Sequence, residues 1–234
     1  MSQLSLNLVA ISIFVITMSA LLGPVMRLSP VVPAIATASV LGLAALDTLT
    51  WQGRGSTLML DWLAGFSKEH RARITRHEAG HFLVAHQLGI PVTDYTLSAW
   101  EALQKGHPGQ GGVQFDTQFL DAELQQGKLS ASMLDRLCTI WMAGGAAEAM
   151  VYGNAEGGDD DRGKLRALLN QIRFSTADTQ QKERLSVLQA KTLLETHWAA
   201  YEALVAAMER REPVEECDRI ITAAIALPEN PSLS

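Results

Sequence analysis

Residues 74–91 read ITRHEAGHFLVAHQLGIP and place three of the chain's six histidines, His77, His81 and His86, within ten positions. A glutamate, Glu78, stands directly after the first. The segment 68–88 contains few helix breakers and carries apolar residues at Ile74, Phe82, Leu83, Ala85 and Leu88. Gly89 and then Pro91 close it, the order in which helices commonly stop. The stretch is therefore expected to be a helix. On a helix, residues four apart share a face, so His77 and His81 can aim both imidazoles at one ion. Glu78 lies about 100° further around, within reach of a water on that ion. Two histidine ligands with a glutamate base between them is the arrangement of helical zinc hydrolases. Zinc lowers the pKa of its water towards ~7 and polarises the scissile carbonyl. Glu78 would take the proton from that water and later pass it to the leaving amine. Ala79 and Gly80 are small, which lets another element pack close beneath the metal.

A catalytic zinc also needs a third protein ligand and one open position. His86, nine residues after His77, falls on the other side of the axis and reads as a packed or surface histidine. His107 stands in a glycine-rich loop, GHPGQGG, and stays a candidate. Glu148 lies in AGGAAEAMVYG, where a carboxylate among small apolar residues needs a partner. It could be a ligand or an acceptor behind a ligand histidine. Asp159, Asp160 and Asp161 follow in EGGDDDRGK, a run that also suits a solvated loop or a helix N-cap.

The 234 residues suffice for one good-sized domain, or one domain plus an anchor. Net charge is -6, which argues against a nucleic-acid partner, since no basic stripe is present. Cys138 and Cys217 are far apart and lack a CxxC partner, so they read as thiols of a reducing compartment. Hydrophobic residues make up 47% and concentrate in the first fifty positions. Residues 4–22 carry no charge and match the roughly 20 apolar residues that span a bilayer core. A second, shorter apolar run covers 34–46, before Asp47, and sets a possible second helix over 34–49. With no Lys or Arg before the first run, a cleaved signal peptide is disfavoured. We expect one or two transmembrane helices over residues 1–50, then a connector over 51–67. Only Arg27 lies between the runs, whereas Arg54, Lys68, Arg71, Arg73 and Arg76 follow the second. The positive-inside tendency places the C-terminal part on the cytoplasmic, or stromal, side.

Beyond the anchor, 68–228 is expected to be a mainly α domain with a small β-hairpin. Residues 92–98 alternate and are β-branched, which predicts a strand, and 113–115 is a short partner. Helices are expected over 130–152, 164–174, 179–211 and 214–226, with a polar loop over 153–163.

The order of motifs resembles the peptidase domain of the FtsH-type zinc metalloproteases, from about residue 73 to the C-terminus. HEAGH is followed by LVA, by a strand after GIPV, and by AGGAAEAMVYGN, a loop and an aspartate. The family's Ala-Gly-Arg-x-Ala-Glu-Glu is matched by Ala143 to Ala149, with Gly145 for the arginine and Ala149 for the second glutamate. Its Gly-Ala-Ser-Asn-Asp maps onto Gly157 to Asp161. The resemblance implies His77 and His81 as zinc ligands, Glu78 as the catalytic base and Asp161 as the third ligand. Asp159 is the alternative after a two-residue slip, and Glu148 the second-shell or alternative ligand. It also implies a fold that is helical around a Zn2+ site, and polypeptide substrates. FtsH proteins carry an ATPase module with a phosphate-binding loop. GRGST at Gly53 lacks the lysine, so no ATP is expected to bind. The expectation is a membrane-anchored zinc metalloendopeptidase that acts on unfolded or membrane-associated chains, alone, as a homo-oligomer or with a partner ATPase. The competing expectation is an inactive membrane assembly or chaperone factor that keeps the fold.

Overall fold

The computed structural model describes residues 3–23, short runs between 29 and 42, 67–107, 112–116 and 129–226. Helix α1 (Gln3–Leu22) coincides with the first apolar run. Among the described residues, however, no helix is long and apolar enough to cross a membrane. A spanning helix needs about 20 mostly apolar residues. The transmembrane helices expected from the sequence are thus not part of the fold these residues establish. Most of the second apolar run and the connector, 51–66, lie outside the described residues.

From Ser67 onward the fold is helical, as the sequence suggested, around a two-stranded sheet. Helix α2 (Lys68–Gln87) carries the histidines. Ser67 caps it by accepting the His70 N–H on its side-chain oxygen, satisfying one of the orphan donors of a helix start. Strand β1 (Val92–Thr96) follows, then a short helix α3 (Ala99–Gln104) that the sequence reading did not foresee, then β2 (Gly112–Phe115). The strands pair antiparallel, with Tyr95 opposite Val113 and Thr96 opposite Gly112, and the register slips between Val92 and Asp94.

Helix α4 (Ala131–Tyr152) is capped by Ser130 and ends at Gly153, which takes the left-handed conformation (φ 78°) that ends many helices. Helices α5 (Asp159–Gln171), α6 (Thr176–Thr196), α7 (Trp198–Glu209) and α8 (Val214–Ala226) complete the domain. Two expected boundaries move. The loop expected over 153–163 is shorter, because α5 starts at Asp159 and takes the aspartates into its first turn. The single helix expected over 179–211 breaks at His197. No glycine or proline marks that break. It lets α7 bury Ala200, Tyr201 and Leu204 in the core shared with α2.

That core fixes the height of the site. Phe82, Leu83, Val84 and Ala85 of α2 are fully buried with Ile140, Ala143 and Ala147 of α4 and Tyr201, Leu204 and Met208 of α7. Each large apolar side chain so buried contributes about 1.5–3 kcal/mol. The α2–α4 contact is as close as its small residues allow. A Cβ on Gly80 would lie 2.8 Å from both the Ala143 carbonyl oxygen and the Ala147 Cβ. A second cluster joins Leu134, Leu137, Cys138 and Met142 of α4 to Leu165, Leu168 and Leu169 of α5. It clamps α5 to α4 and so sets where the first turn of α5 points.

Candidate metal centre

Three side chains from two helices converge. His77 and His81 come from successive turns of α2, and Asp161 from the first turn of α5; all three are buried. His77 Nε2 and His81 Nε2 are 3.0 Å apart. Asp161 Oδ2 lies 3.4 Å from the first and 3.2 Å from the second.

The tautomers follow from the other ring nitrogens. His81 Nδ1 is 2.7 Å from the Ile140 carbonyl oxygen. A carbonyl only accepts, so Nδ1 carries the hydrogen and donates it. His77 Nδ1 is 2.6 Å from Glu148 Oε1 and donates to it. In the neutral rings both Nε2 atoms then present lone pairs. In that neutral form two lone-pair nitrogens and a carboxylate oxygen would meet at one point. Such a group repels itself unless a cation sits among its members. In the chain alone that cation is a proton. Burial works against charge on His77, yet its hydrogen bonds with Asp161 and Glu148 push its pKa up to about 10. Burial likewise opposes the charge on Asp161, but the adjacent His81 and His77 hold its carboxyl well below the usual range. A tetrahedral zinc with bonds of 2.0–2.1 Å needs ligand atoms about 3.3 Å apart, and the three separations bracket that figure. The residues present therefore fit a small, borderline-soft divalent ion bound through two imidazoles and one carboxylate.

The surroundings keep the space clear. A Cβ on Gly144 of α4 would lie 2.4 Å from His77 Nε2 and 2.5 Å from His81 Nε2. The sequence reading did not single out Gly144. Its signal was one of two adjacent glycines in a long helix, where glycine costs up to about 1 kcal/mol against alanine. Gly157 is similarly constrained. A Cβ there would meet Glu148 Oε1 at 2.7 Å and the His77 ring at 3.2 Å.

Glu148 is almost wholly buried and stands behind His77 rather than beside Asp161. Besides His77 it accepts N–H groups from Gly157 on Oε1 (3.2 Å) and from Glu156 on Oε2 (2.9 Å), and Arg73 Nη1 lies 3.0 Å from Oε2. Burial favours its neutral form, but the bonds from His77, Glu156 and Arg73 hold its pKa down at about 2. It is an ionised acceptor that orients a ring, the role of outer-shell carboxylates in many metal sites.

Glu78 faces the hairpin. Its Oε2 accepts the Val113 N–H of β2 at 2.9 Å. Gly112, with φ 104°, leaves room for it, since a Cβ there would stand 3.0 Å from the same oxygen. The other candidates go elsewhere. Asp159 is on the outside of α5, 89% exposed and paired with Arg162. His86 lies near Thr222 of α8. His107 pairs with Asp94 of the hairpin, at 3.2 Å. No family model matches the chain, and no curated protein matches it either.

Proposed function

We propose that this protein is a membrane-anchored zinc metalloendopeptidase that cleaves unfolded or membrane-associated polypeptides without an ATP-driven unfolding module of its own. The observation that carries the reading is the meeting of the His77 and His81 Nε2 atoms with one Asp161 carboxylate oxygen, with Glu78 on the intervening helix turn. His77, His81 and Asp161 would hold the ion. When bound, zinc supplies a water acidified towards pKa ~7 and a Lewis acid for a peptide carbonyl.

The chain's own groups do the rest. Glu78 takes the proton of the attacking water and returns it to the leaving amine. The Val113 N–H holds the Glu78 carboxylate in one orientation, so less ordering remains to be done at the moment of reaction. Glu148 and the Ile140 carbonyl keep both imidazoles in the metal-binding tautomer. The buried walls around His77, His81 and Asp161 keep bulk water from competing.

The resemblance to FtsH-type peptidases supports the same roles. So does α1, where Ile11, Ile13, Phe14, Val15 and Ile16 are all exposed. Although no described helix is long and apolar enough to cross a membrane, these side chains form an exposed apolar surface that favours apolar surroundings. A lipid bilayer supplies them, with the catalytic domain on the cytoplasmic or stromal side. Without an unfoldase, substrates are already extended chains or are delivered by a partner ATPase.

In the second reading, an inactive membrane assembly factor, Glu78 would serve only as a structural acceptor for the Val113 N–H. Casein cleavage by the zinc-loaded chain, run beside Glu78→Gln, decides between them. The peptidase reading predicts cleavage by the parent only, with equal zinc in both. Equal zinc with no cleavage by either protein would favour the assembly factor.

A further inference from the structure

Arg73 lies on α2 one turn before His77. Its guanidinium is largely buried and touches four residues of one segment. Nη1 is 3.0 Å from Glu148 Oε2 and donates to the Asn154 carbonyl oxygen at 3.3 Å. Nη2 reaches Asn154 Oδ1 at 3.3 Å and Glu156 Oε1 at 3.5 Å. The plane lies over the Tyr152 ring, 4.2 Å from its centroid. That segment, from the end of α4 through Gly158, runs directly into the first turn of α5, where Asp161 sits.

We infer that Arg73 is a positioning residue for the metal centre: it clasps Glu148 to the 152–157 turn and thereby sets where Asp161 meets the two histidines. The inference rests on the metal reading proposed above. The turn is seated on the metal side by Gly157, packed against the His77 ring, and by the Gly157 and Glu156 N–H groups on Glu148. Arg73 shares Oε2 with the Glu156 N–H, the oxygen not bound to His77. Its positive charge holds one oxygen of Glu148, Oε2, while the other, Oε1, accepts the His77 Nδ1–H. Arginine suits the task because its fork reaches several acceptors at once and stacks on an aromatic ring, which a lysine ammonium cannot do together. Three pieces of the site, from α2, α4 and the turn before α5, are thereby tied through one side chain.

The test is cobalt binding by the full-length chain in detergent. Co2+ is followed by its visible absorption and its affinity fixed by competition with a chelator. Arg73→Gln, Arg73→Lys and Asn154→Ala are compared with the parent. Arg166→Gln, which breaks an exposed pair between Arg166 of α5 and Glu183 of α6, controls for the loss of an arginine. Arg73→Gln is expected to bind Co2+ roughly 10–100-fold more weakly, the range for outer-shell partners, with an altered absorption band. Arg73→Lys should recover part of the affinity, and Asn154→Ala should show a smaller loss. Arg166→Gln should match the parent. Thermal melts of the metal-free proteins separate this from a general loss of fold: a plain structural staple would lower the melting temperature and leave the cobalt band of the folded fraction unchanged. That result, or parental affinity in Arg73→Gln, overturns the inference while leaving the metal reading standing. A parent that takes up no cobalt overturns both.

Discussion

Two adjacent glycines on α4 are expected to respond to the same substitution with opposite signs. In the interior of a helix, Gly→Ala ordinarily stabilises by about 0.5–1 kcal/mol, because glycine loses more conformational freedom on folding. Gly145 has room for the methyl group: the nearest atom, the Ala155 Cβ, would be 3.9 Å away. Gly144 has none. Its Cβ would lie 2.4 Å from His77 Nε2, 2.5 Å from His77 Cδ2 and 2.5 Å from His81 Nε2. Neither ring can swing aside without breaking its Nδ1 bond, 2.6 Å to Glu148 and 2.7 Å to the Ile140 carbonyl. Overpacking of this kind costs about 1–3 kcal/mol, which cancels or exceeds the helix gain. The displaced atoms are also the ones that would bind metal. For Gly144→Ala we expect zinc affinity to fall at least about 10–100-fold, the scale on which misplaced supporting groups act. The metal-free melting temperature should be unchanged or lower. For Gly145→Ala, metal uptake should be unaffected and the melting temperature should rise by about 1–4 °C. Zinc affinity from chelator competition, together with thermal melts of the apo proteins, reads both. Normal zinc affinity with a raised melting temperature in Gly144→Ala would refute the placement of the two imidazoles against α4.

Other consequences can be checked with similar means. Gly112→Ala forces an L side chain to φ 104° and puts a Cβ 3.0 Å from Glu78 Oε2. Turnover should drop while zinc content stays at the parent level; a matching loss of zinc would place Glu78 in the wrong relation to β2. Tyr201 is fully buried and donates its hydroxyl hydrogen to the Arg76 carbonyl of α2 at 2.9 Å. Tyr201→Phe should lower stability by about 1 kcal/mol in urea unfolding of the metal-free chain, and an unchanged midpoint would contradict that bond. A zinc ion held by the folded chain at His77, His81 and Asp161 should raise the melting temperature, and a chelator should lower it again. At a free concentration of 100 times Kd the contribution is about 2.7 kcal/mol, and a melting curve indifferent to chelator would speak against a folded-state site.

The helix that carries the site was legible because its signals are local. The spacing of His77 and His81, the glycine–proline stop after Leu88 and the small residues Ala79 and Gly80 all lie within one stretch. The hairpin was legible for the same reason, although the register slip after Val92 was not. What the sequence did not show depends on packing between distant segments. Glu148 had two roles open to it until its 2.6 Å bond to His77 put it behind that ring. Asp159 and Asp161 look alike in DDD, and only the start of α5 at Asp159 turns one outward and the other into the core. The start of α5 is itself held by Leu165 and Leu169 against α4. The break at His197 carries no local mark because it serves the burial of Tyr201 against α2. Arg73 had a weaker signal, its position four residues before His77 on the same face. Its partners, 75 and 81 residues away in sequence, could not be read from that.

The central claim is that His77, His81 and Asp161 hold one ion. Metal content of the purified chain after exposure to zinc tests it directly, with Asp161→Ala and Asp159→Ala measured alongside. One zinc per chain in the parent and in Asp159→Ala, with loss in Asp161→Ala, is the predicted result. No zinc in the parent, or full retention in Asp161→Ala, would contradict it.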